Sequence, residues 1–247
     1  MNPWLALKDE VSGLLDFLFP PVCPLCGVAG AVAGGDSFCR GCLAGFSPLA
    51  SPCCPICALP FEGPAGSDHH CGGCLSEPPP FIRVTALGIY QGTLAEAVRD
   101  LKYREGFHLG RPLGRLLAAL LAGRRGERPF GLLVPVPLHG ERLKERTYNQ
   151  AQLLAEAIGR HLAVPVASEL LRRTRSTPPQ QGLSASERLR NLKGAFALRK
   201  GLDGERVVLV DDVLTTGATA RECSRVLLKG GAAEVEVAVV ARAARHL

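Results

Sequence analysis

The stretch from Val207 to Thr219 combines a short apolar run with side chains that could bind a sugar phosphate. Two adjacent carboxylates, Asp211 and Asp212, follow the apolar residues, and a Thr/Gly turn follows them. Ligands of open α/β sheets bind where strands end, and the N–H groups at the start of a following helix favour a phosphate. The carboxylates cannot favour that phosphate, but they can accept hydrogen bonds from vicinal sugar hydroxyls. The pattern therefore predicts a phosphoribosyl site, and without a following Gly-Lys-Ser/Thr it is not a Walker loop.

A second chemical pattern lies in the cysteines, nine of which fall between Cys23 and Cys74. Four Cys-x-x-Cys pairs follow one another, with 12 residues between the first two pairs and 13 between the last two. Two such turns complete a tetrahedral site with Zn–S distances of about 2.3 Å, and a closed four-thiolate site leaves no position for catalysis. We therefore predict two structural zinc ions of the zinc-ribbon type rather than disulfides or a redox pair. The predicted ligands are Cys23, Cys26, Cys39, Cys42, Cys54, Cys57, Cys71 and Cys74.

Spacing leaves three details of these zinc sites open. We favour sequential pairing of the turns, first with second and third with fourth, but spacing alone does not exclude a cross-braced arrangement. Cys53 could replace its neighbour Cys54, although only Cys54 gives the two-residue spacing. His69 and His70 precede Cys71 and could ligate, but exposed loop histidines are the simpler interpretation.

Charge divides the 247-residue chain into two unequal parts. The net charge is +6, yet residues 1–80 carry two basic and seven acidic side chains, so that residues 81–247 carry a net charge of +11. A hydrophobic content of 47% excludes a wholly disordered chain, and no apolar run reaches the 18 residues of a membrane span. The positive part is compatible with nucleic acid and with a phosphate-bearing small substrate, and charge alone does not discriminate between them.

The elements that must position these residues follow from periodicity. We predict an amphipathic helix at 1–20 that is not an export signal, and hence a cytoplasmic protein. A double zinc ribbon at 21–77, a proline linker and an α/β domain at 81–247 follow. Apolar runs predict strands at 84–90, 132–136, 195–198, 207–210 and 234–240, and helices at 94–101, 109–121, 149–162 and 218–228. This alternation indicates a mostly parallel sheet with helices on both faces, and Cys223 is expected in its core.

The phosphate motif resembles the 5-phosphoribosyl-1-pyrophosphate (PRPP) loop of type I phosphoribosyltransferases. The wider pattern resembles the ComF (competence protein F-like) family, which joins a double zinc ribbon to such a domain, and this resemblance covers nearly the whole chain. It rests on the cysteine block, on the phosphate loop and on several shorter motifs. These include Leu101-Lys102-Tyr103, Val134-Pro135-Val136-Pro137-Leu138, Asn149-Gln150-Ala151 and Arg175-Ser176-Thr177-Pro178-Pro179-Gln180. One departure is Thr147, where the family usually has glycine.

The resemblance implies a role for each matching residue. Asp211 and Asp212 would bind the ribose hydroxyls, directly or through Mg²⁺, and would be catalytic together with Arg175. The 5′-phosphate would be held by Thr215, Thr216, Gly217, Ala218 and Thr219, and the pyrophosphate loop would contain Pro137, Leu138 and His139. A mobile loop over the pyrophosphate would carry Arg172, Arg173, Arg175 and Arg188. Lys102 could reach a ligand phosphate or could be an exposed helix end.

The resemblance also implies an activity and partners. The expected reaction is Mg²⁺-dependent transfer of ribose 5-phosphate from PRPP to an unidentified acceptor, linked to DNA uptake in natural transformation. The alternative is a non-catalytic factor that handles single-stranded DNA, alone or with a DNA-uptake helicase or processing protein. Aromatic residues make up 5% of the chain, and the sequence offers no obvious stacking platform for single strands.

Overall fold

The structure is a computed structural model that describes residues 20–29, 38–61, 63, 66–103, 106–123, 129–138, 147–175 and 185–244, with only the backbone at 185, 186, 188 and 189. The chain divides into two compact units, Met1–Gly45 and Phe46–Leu247. The predicted helix at 1–20 lies outside the described residues except for Pro20.

The larger unit is built on a parallel sheet. The strands are β1 (Arg83–Ile89), β2 (Leu132–Pro135), β3 (Leu171–Arg173), β4 (Phe196–Leu198), β5 (Arg206–Leu214) and β6 (Glu234–Arg242). Four of them form one sheet in the order β1-β6-β5-β2, with every neighbouring pair parallel. The short strands β3 and β4 form a separate antiparallel pair.

Helices connect these strands and cover the sheet. They are α1 (Arg40–Ala44), α2 (Gly72–Ser76), α3 (Gly92–Tyr103), α4 (Gly110–Ala122), α5 (Gln150–Leu162), α6 (Ala185–Leu192) and α7 (Ala218–Lys229), and a 3-10 turn at Gly106–Leu109 lies between α3 and α4. Parallel neighbours need such crossovers because a tight turn cannot join them. Each predicted strand and helix of the α/β part has a counterpart, whereas β3, α6 and the two short ribbon helices were not predicted.

Both faces of the sheet are buried, as the continuous apolar runs in its strands require. Side chains of successive strand residues point to opposite faces. Val207 and Leu209 of β5 lie in a hydrophobic cluster with residues of α7 on one face of the sheet. Val208 and Val210 alternate with them and are also buried, so the other face is covered as well. The fold is therefore the predicted α/β type with a covered parallel sheet and a Cys-rich N-terminal part.

The second zinc ribbon packs on the sheet within the larger unit. Its apolar residues Ala58 and Leu59 are buried in the same cluster as Leu214, which precedes the phosphate loop, and Ala218, which belongs to it. The division between the compact units falls between Gly45 and Phe46, so that the two ribbons belong to different units. The ribbon and α/β boundaries at 77 and 81 stay a prediction.

Candidate active site and zinc sites

The eight predicted cysteine ligands form two groups of four, and within each group the sulfur atoms lie within 4.8 Å of one another. The Sγ–Sγ distances are 3.8 Å for Cys23–Cys42, 3.7 Å for Cys26–Cys39 and 3.6 Å for Cys57–Cys71. A tetrahedron with Zn–S bonds of about 2.3 Å has edges of about 3.8 Å. The thiols therefore fit zinc, and the distances are too long for disulfides.

The grouping settles the details that spacing left open. The first two turns share one site and the last two share the other, which is the sequential arrangement. Cys54, not Cys53, joins the second group, and the Cys53 backbone N–H donates to the Asp68 carboxylate over 2.9 Å. His69 instead stacks on Phe61 with ring centroids 4.0 Å apart.

Local hydrogen bonds prepare the thiols for a metal. Burial opposes ionisation of Cys23, but N–H groups that include that of Cys39 lower its pKa to about 6. Burial likewise opposes ionisation of Cys71, but the Cys74 N–H and the neighbouring thiols lower its pKa to about 7. A thiolate is the metal-binding form of cysteine. In each group, backbone N–H groups therefore favour the thiolate form of one cysteine.

Asp211 and Asp212 lie inside β5 rather than after it, because β6 continues to pair with β5 as far as Leu214. On the other side, the ladder between β2 and β5 ends at Pro135, opposite Val210. Beyond Val210, no strand among the described residues pairs with β5 on the β2 side, and Asp211 and Asp212 lie along this unpaired stretch, called the gap. Open α/β sheets bind ligands at the carboxyl ends of their strands.

The two carboxylates have different surroundings. The Asp212 carboxylate forms an ion pair with Lys102 Nζ at 3.2 Å. The Asp212 side chain is 13% exposed and the Lys102 side chain is 21% exposed. Asp211 accepts a hydrogen bond from the Asp212 N–H at 2.8 Å. Burial is the main cause that raises the pKa of the Cys223 thiol, and the negative charge of Asp211 adds to it. Asp212 therefore contacts the end of α3, whereas the charge of Asp211 acts on Cys223 of α7. Cys223 is fully buried, as predicted.

The Thr/Gly turn after β5 leads directly into α7. Gly217 adopts a left-handed conformation with φ of 79° and caps α7, and an added Cβ would meet nothing within 4 Å. The backbone angle rather than space therefore favours glycine here. Thr215 and Thr216 are exposed, and Thr216 Oγ1 accepts the Ala218 N–H at 3.4 Å.

Arg242, at the end of β6, fixes the start of this loop. Its Nη1 donates to the carbonyl oxygens of Leu214 at 3.0 Å and Thr215 at 2.7 Å, and also to that of Ala243. Its Nε donates to the carbonyl oxygen of Cys57 at 2.9 Å. Sequence reasoning missed this residue because an arginine at a strand end carries no local signal.

The segment before α5 joins β2 and α3 beside the gap. The Asn149 side chain caps α5 by accepting the Ala151 N–H at 3.0 Å and donates to the Val136 carbonyl at 3.0 Å. The Tyr148 hydroxyl donates to the Leu101 carbonyl at 2.8 Å, next to Lys102. Thr147 has a positive φ of 63°, the angle that a glycine would adopt without strain.

The remaining predicted residues are more dispersed. Pro137 and Leu138 follow β2 and are half-buried, whereas His139 and the side chain of Arg188 lie outside the described residues. Arg175 Nη2 donates to the carbonyl oxygens of Asn191 at 2.8 Å and Lys193 at 3.1 Å. Arg172 is exposed, and the Arg173 guanidinium lies 5.7 Å from the centre of the Phe196 ring. Arg175, near the start of the predicted mobile segment, therefore contacts residues that follow the end of that segment.

Two large aromatic side chains are exposed near Lys102. Tyr103 at the end of α3 is 70% exposed and Phe107 is 58% exposed, and Phe107 makes an edge contact with Tyr148. Composition gave no signal for this surface, because it depends on where a few aromatic residues fall rather than on how many there are.

Comparison with known proteins identifies both parts of the chain. A double zinc ribbon domain model matches residues 14–75, and a phosphoribosyl transferase domain model matches residues 149–246. Competence protein F of Haemophilus influenzae is 38% identical over 76% of this chain and 87% of its own length. DNA utilization protein YhgH of Escherichia coli is 40% identical over 74% and 81%. Competence protein ComFC of Bacillus subtilis is 39% identical over 42% of this chain and 41% of its own.

Among the residues that the structure describes, none of the helices combines the length and hydrophobicity needed to cross a membrane.

Proposed function

Because the chain belongs to the competence protein F (ComF) family, we propose that it binds PRPP and transfers ribose 5-phosphate to an acceptor, with Mg²⁺. The observation that carries this proposal is the position of Asp211 and Asp212 beside the gap at the end of β2, followed directly by the Gly217 turn. Sugar hydroxyls and a 5′-phosphate require these two chemistries side by side.

The roles proposed for the residues follow from their chemistry. The carboxylates accept hydrogen bonds from the ribose hydroxyls, while the N–H groups at the start of α7 and the exposed Thr215 and Thr216 hydroxyls donate to the phosphate. The donor set of Asp211 and Asp212 is the hard oxygen type that suits Mg²⁺, which when bound would neutralise charge on the pyrophosphate. Lys102 keeps the Asp212 carboxylate paired until the ligand arrives.

The expected reaction breaks the bond between the anomeric carbon and the pyrophosphate oxygen, and both electrons leave with pyrophosphate. An acceptor lone pair forms the new bond to that carbon. Positive charge on the ribose ring and negative charge on the leaving group both need stabilisation in a site that excludes water. The arginines at 172–188, including Arg175, are proposed to approach the pyrophosphate when that segment closes.

Binding of ribose 5-phosphate tests the phosphate loop without any assumption about the acceptor. We expect saturable binding by isothermal titration, and weaker binding by the variant Gly217→Ala, because Ala is strained at φ of 79°. Gly217→Asn is the matched control, since asparagine tolerates left-handed angles better. Equal affinity of all three proteins would remove the loop from the proposal.

A second candidate function is binding of single-stranded DNA. It is supported by the exposed side chains of Tyr103 and Phe107, because bases stack on aromatic rings. The printed names of the relatives refer to competence and DNA utilization, and a role in natural transformation is proposed for this chain on that basis. The next helix along the chain, α4, carries two exposed cationic side chains, Arg111 and Arg115, which lie within 12 residues of Tyr103 in the sequence.

Fluorescence anisotropy with a labelled oligothymidine measures this second function. The double variant Tyr103→Ala/Phe107→Ala should weaken binding, each lost stacking contact costing about 1–3 kcal/mol. Leu75→Ala removes another exposed apolar side chain, 65% exposed, and is the control. Undiminished binding by the double variant would reject this surface as the DNA site.

A further inference from the structure

The second zinc ribbon and the phosphate loop share a buried arginine. Arg242 is 6% exposed, and its guanidinium donates on one side to the Cys57 carbonyl and on the other to the carbonyls of Leu214 and Thr215. Cys57 belongs to the second group of zinc ligands, and Thr215 is the first residue of the phosphate loop. One side chain therefore joins the metal-binding turn directly to the backbone of the loop.

Electrostatics ties the same arginine to the zinc site. Burial lowers the pKa of Arg242, and the thiols of Cys57, Cys71 and Cys74 act in the opposite direction. An arginine stays charged in proteins, and zinc with four thiolates carries a net charge of −2. The zinc-bound form therefore offers this buried cation a compensating negative charge, and loss of the metal changes that balance.

A second contact fastens the other side of the loop to the same ribbon. Arg221, in the first turns of α7, donates from Nη2 to the Glu77 carbonyl at 2.9 Å, just after α2. The Arg221 N–H also donates to the Gly217 carbonyl at 2.8 Å. The residues on both flanks of the phosphate loop are thus held by the second ribbon.

The apolar packing agrees with these polar contacts. Cys54 and Cys74 are buried in the same hydrophobic cluster as Leu214, which precedes the loop, and Ala218, which belongs to it. A close-packed interior transmits a displacement of one part to its neighbours. A change at the second zinc site should therefore reach the loop through both packing and hydrogen bonds.

We propose that the second zinc site controls phosphate binding, with Arg242 as the positioning residue that couples the Cys57 turn to the phosphate loop. This inference rests on the proposed function, since the bound group is the phosphate of a phosphoribosyl ligand. The first ribbon lies in the other compact unit, and its zinc is assigned no such coupling. Coupling between two sites is reciprocal, so a ligand on the loop must also retain zinc in the second ribbon.

Equilibrium competition between the full-length protein and a zinc chelator tests this coupling. The zinc affinity of the native protein is measured with and without saturating ribose 5-phosphate, and Mg²⁺ is omitted. The variant Cys23→Ser/Cys26→Ser, which lacks the first site, identifies the affinity of the second. We expect ribose 5-phosphate to protect the second site, raising its zinc affinity by about fivefold or more, and to leave that of the first site unchanged.

The variant Arg242→Lys keeps the charge but cannot reach both sets of carbonyls with one ammonium group. It should retain two zinc ions, lose the protection by ribose 5-phosphate, and bind ribose 5-phosphate roughly tenfold more weakly, a loss of about 1.4 kcal/mol. Should this variant fail to fold, Arg221→Gln removes the exterior contact and is expected to lose part of the protection.

The outcomes separate the two proposals. A native protein that does not bind ribose 5-phosphate contradicts the proposed function itself. A native protein that binds ribose 5-phosphate without any change in the zinc affinity of the second ribbon overturns the coupling alone. Retention of full protection in Arg242→Lys overturns the role of Arg242.

Discussion

Thr147 is held in a backbone conformation that its side chain disfavours. Its φ is 63°, and the hydrogen bonds of Tyr148 to Leu101 and of Asn149 to Val136 fix the residues that follow it. A left-handed angle costs a non-glycine residue about 1–2 kcal/mol. Thr147→Gly removes this strain and loses about 0.5–1 kcal/mol through the greater freedom of glycine in the unfolded chain. We expect a net gain of about 0.5–1 kcal/mol in the free energy of unfolding.

Thermal unfolding of the zinc-loaded protein measures this gain. For a unit of about 200 residues, 1 kcal/mol raises Tm by about 2–4 °C, so Thr147→Gly should raise it by about 1–4 °C. Thr147→Ala is the matched control, since it removes the same side-chain contacts but keeps a Cβ at a positive φ. A rise in Tm for alanine as large as that for glycine would refute the reasoning, because the strain would then not lie in the backbone angle.

Three further predictions concern the site and its surroundings. In a double-mutant cycle of Lys102→Met and Asp212→Asn, the half-buried ion pair should give a coupling of about 1 kcal/mol in urea unfolding; a coupling of zero contradicts the pair. Burial opposes ionisation of Glu222, but the hydrogen bond from Arg225 lowers its pKa below 4.5, so it stabilises the fold above that pH and this contribution is lost on acidification. The free energy of unfolding of Glu222→Gln should therefore depend less on pH than that of the native protein between about pH 5 and about pH 3. The same pH dependence in both proteins would contradict this role of Glu222. Cys223 should resist alkylation in the native protein, since it is fully buried and its pKa is raised, and rapid labelling of folded protein would contradict that.

The parts of the site that sequence could predict are those encoded locally. The carboxylate pair, the Thr/Gly turn and the Cys-x-x-Cys turns each occupy a few consecutive residues, and strand and helix periods located most of the elements that carry them. The end of β5 was predicted too early, at 210, because charged residues normally end a buried strand, whereas pairing with β6 extends it to Leu214.

Contacts between distant segments could not be predicted in the same way. Lys102 allowed two interpretations until the fold placed it beside Asp212, and Arg242 lies 185 residues from Cys57. The cysteine spacing is compatible with both the sequential and the cross-braced arrangement. The fold decides between them, because it brings the first two turns to one site and the last two to the other. The strand β3 has only three residues, too few to show a period.

Mg²⁺-dependent binding of PRPP is the measurement that tests the central claim most directly. Isothermal titration of the full-length native protein should show saturable binding that weakens without Mg²⁺. In Asp211→Asn/Asp212→Asn, which keeps both side-chain shapes, binding should weaken by about 2 kcal/mol or more, since hydrogen bonds to charged groups contribute about 1.5–3 kcal/mol each. Unchanged PRPP affinity in that variant would contradict the assignment of the two carboxylates to the ribose site.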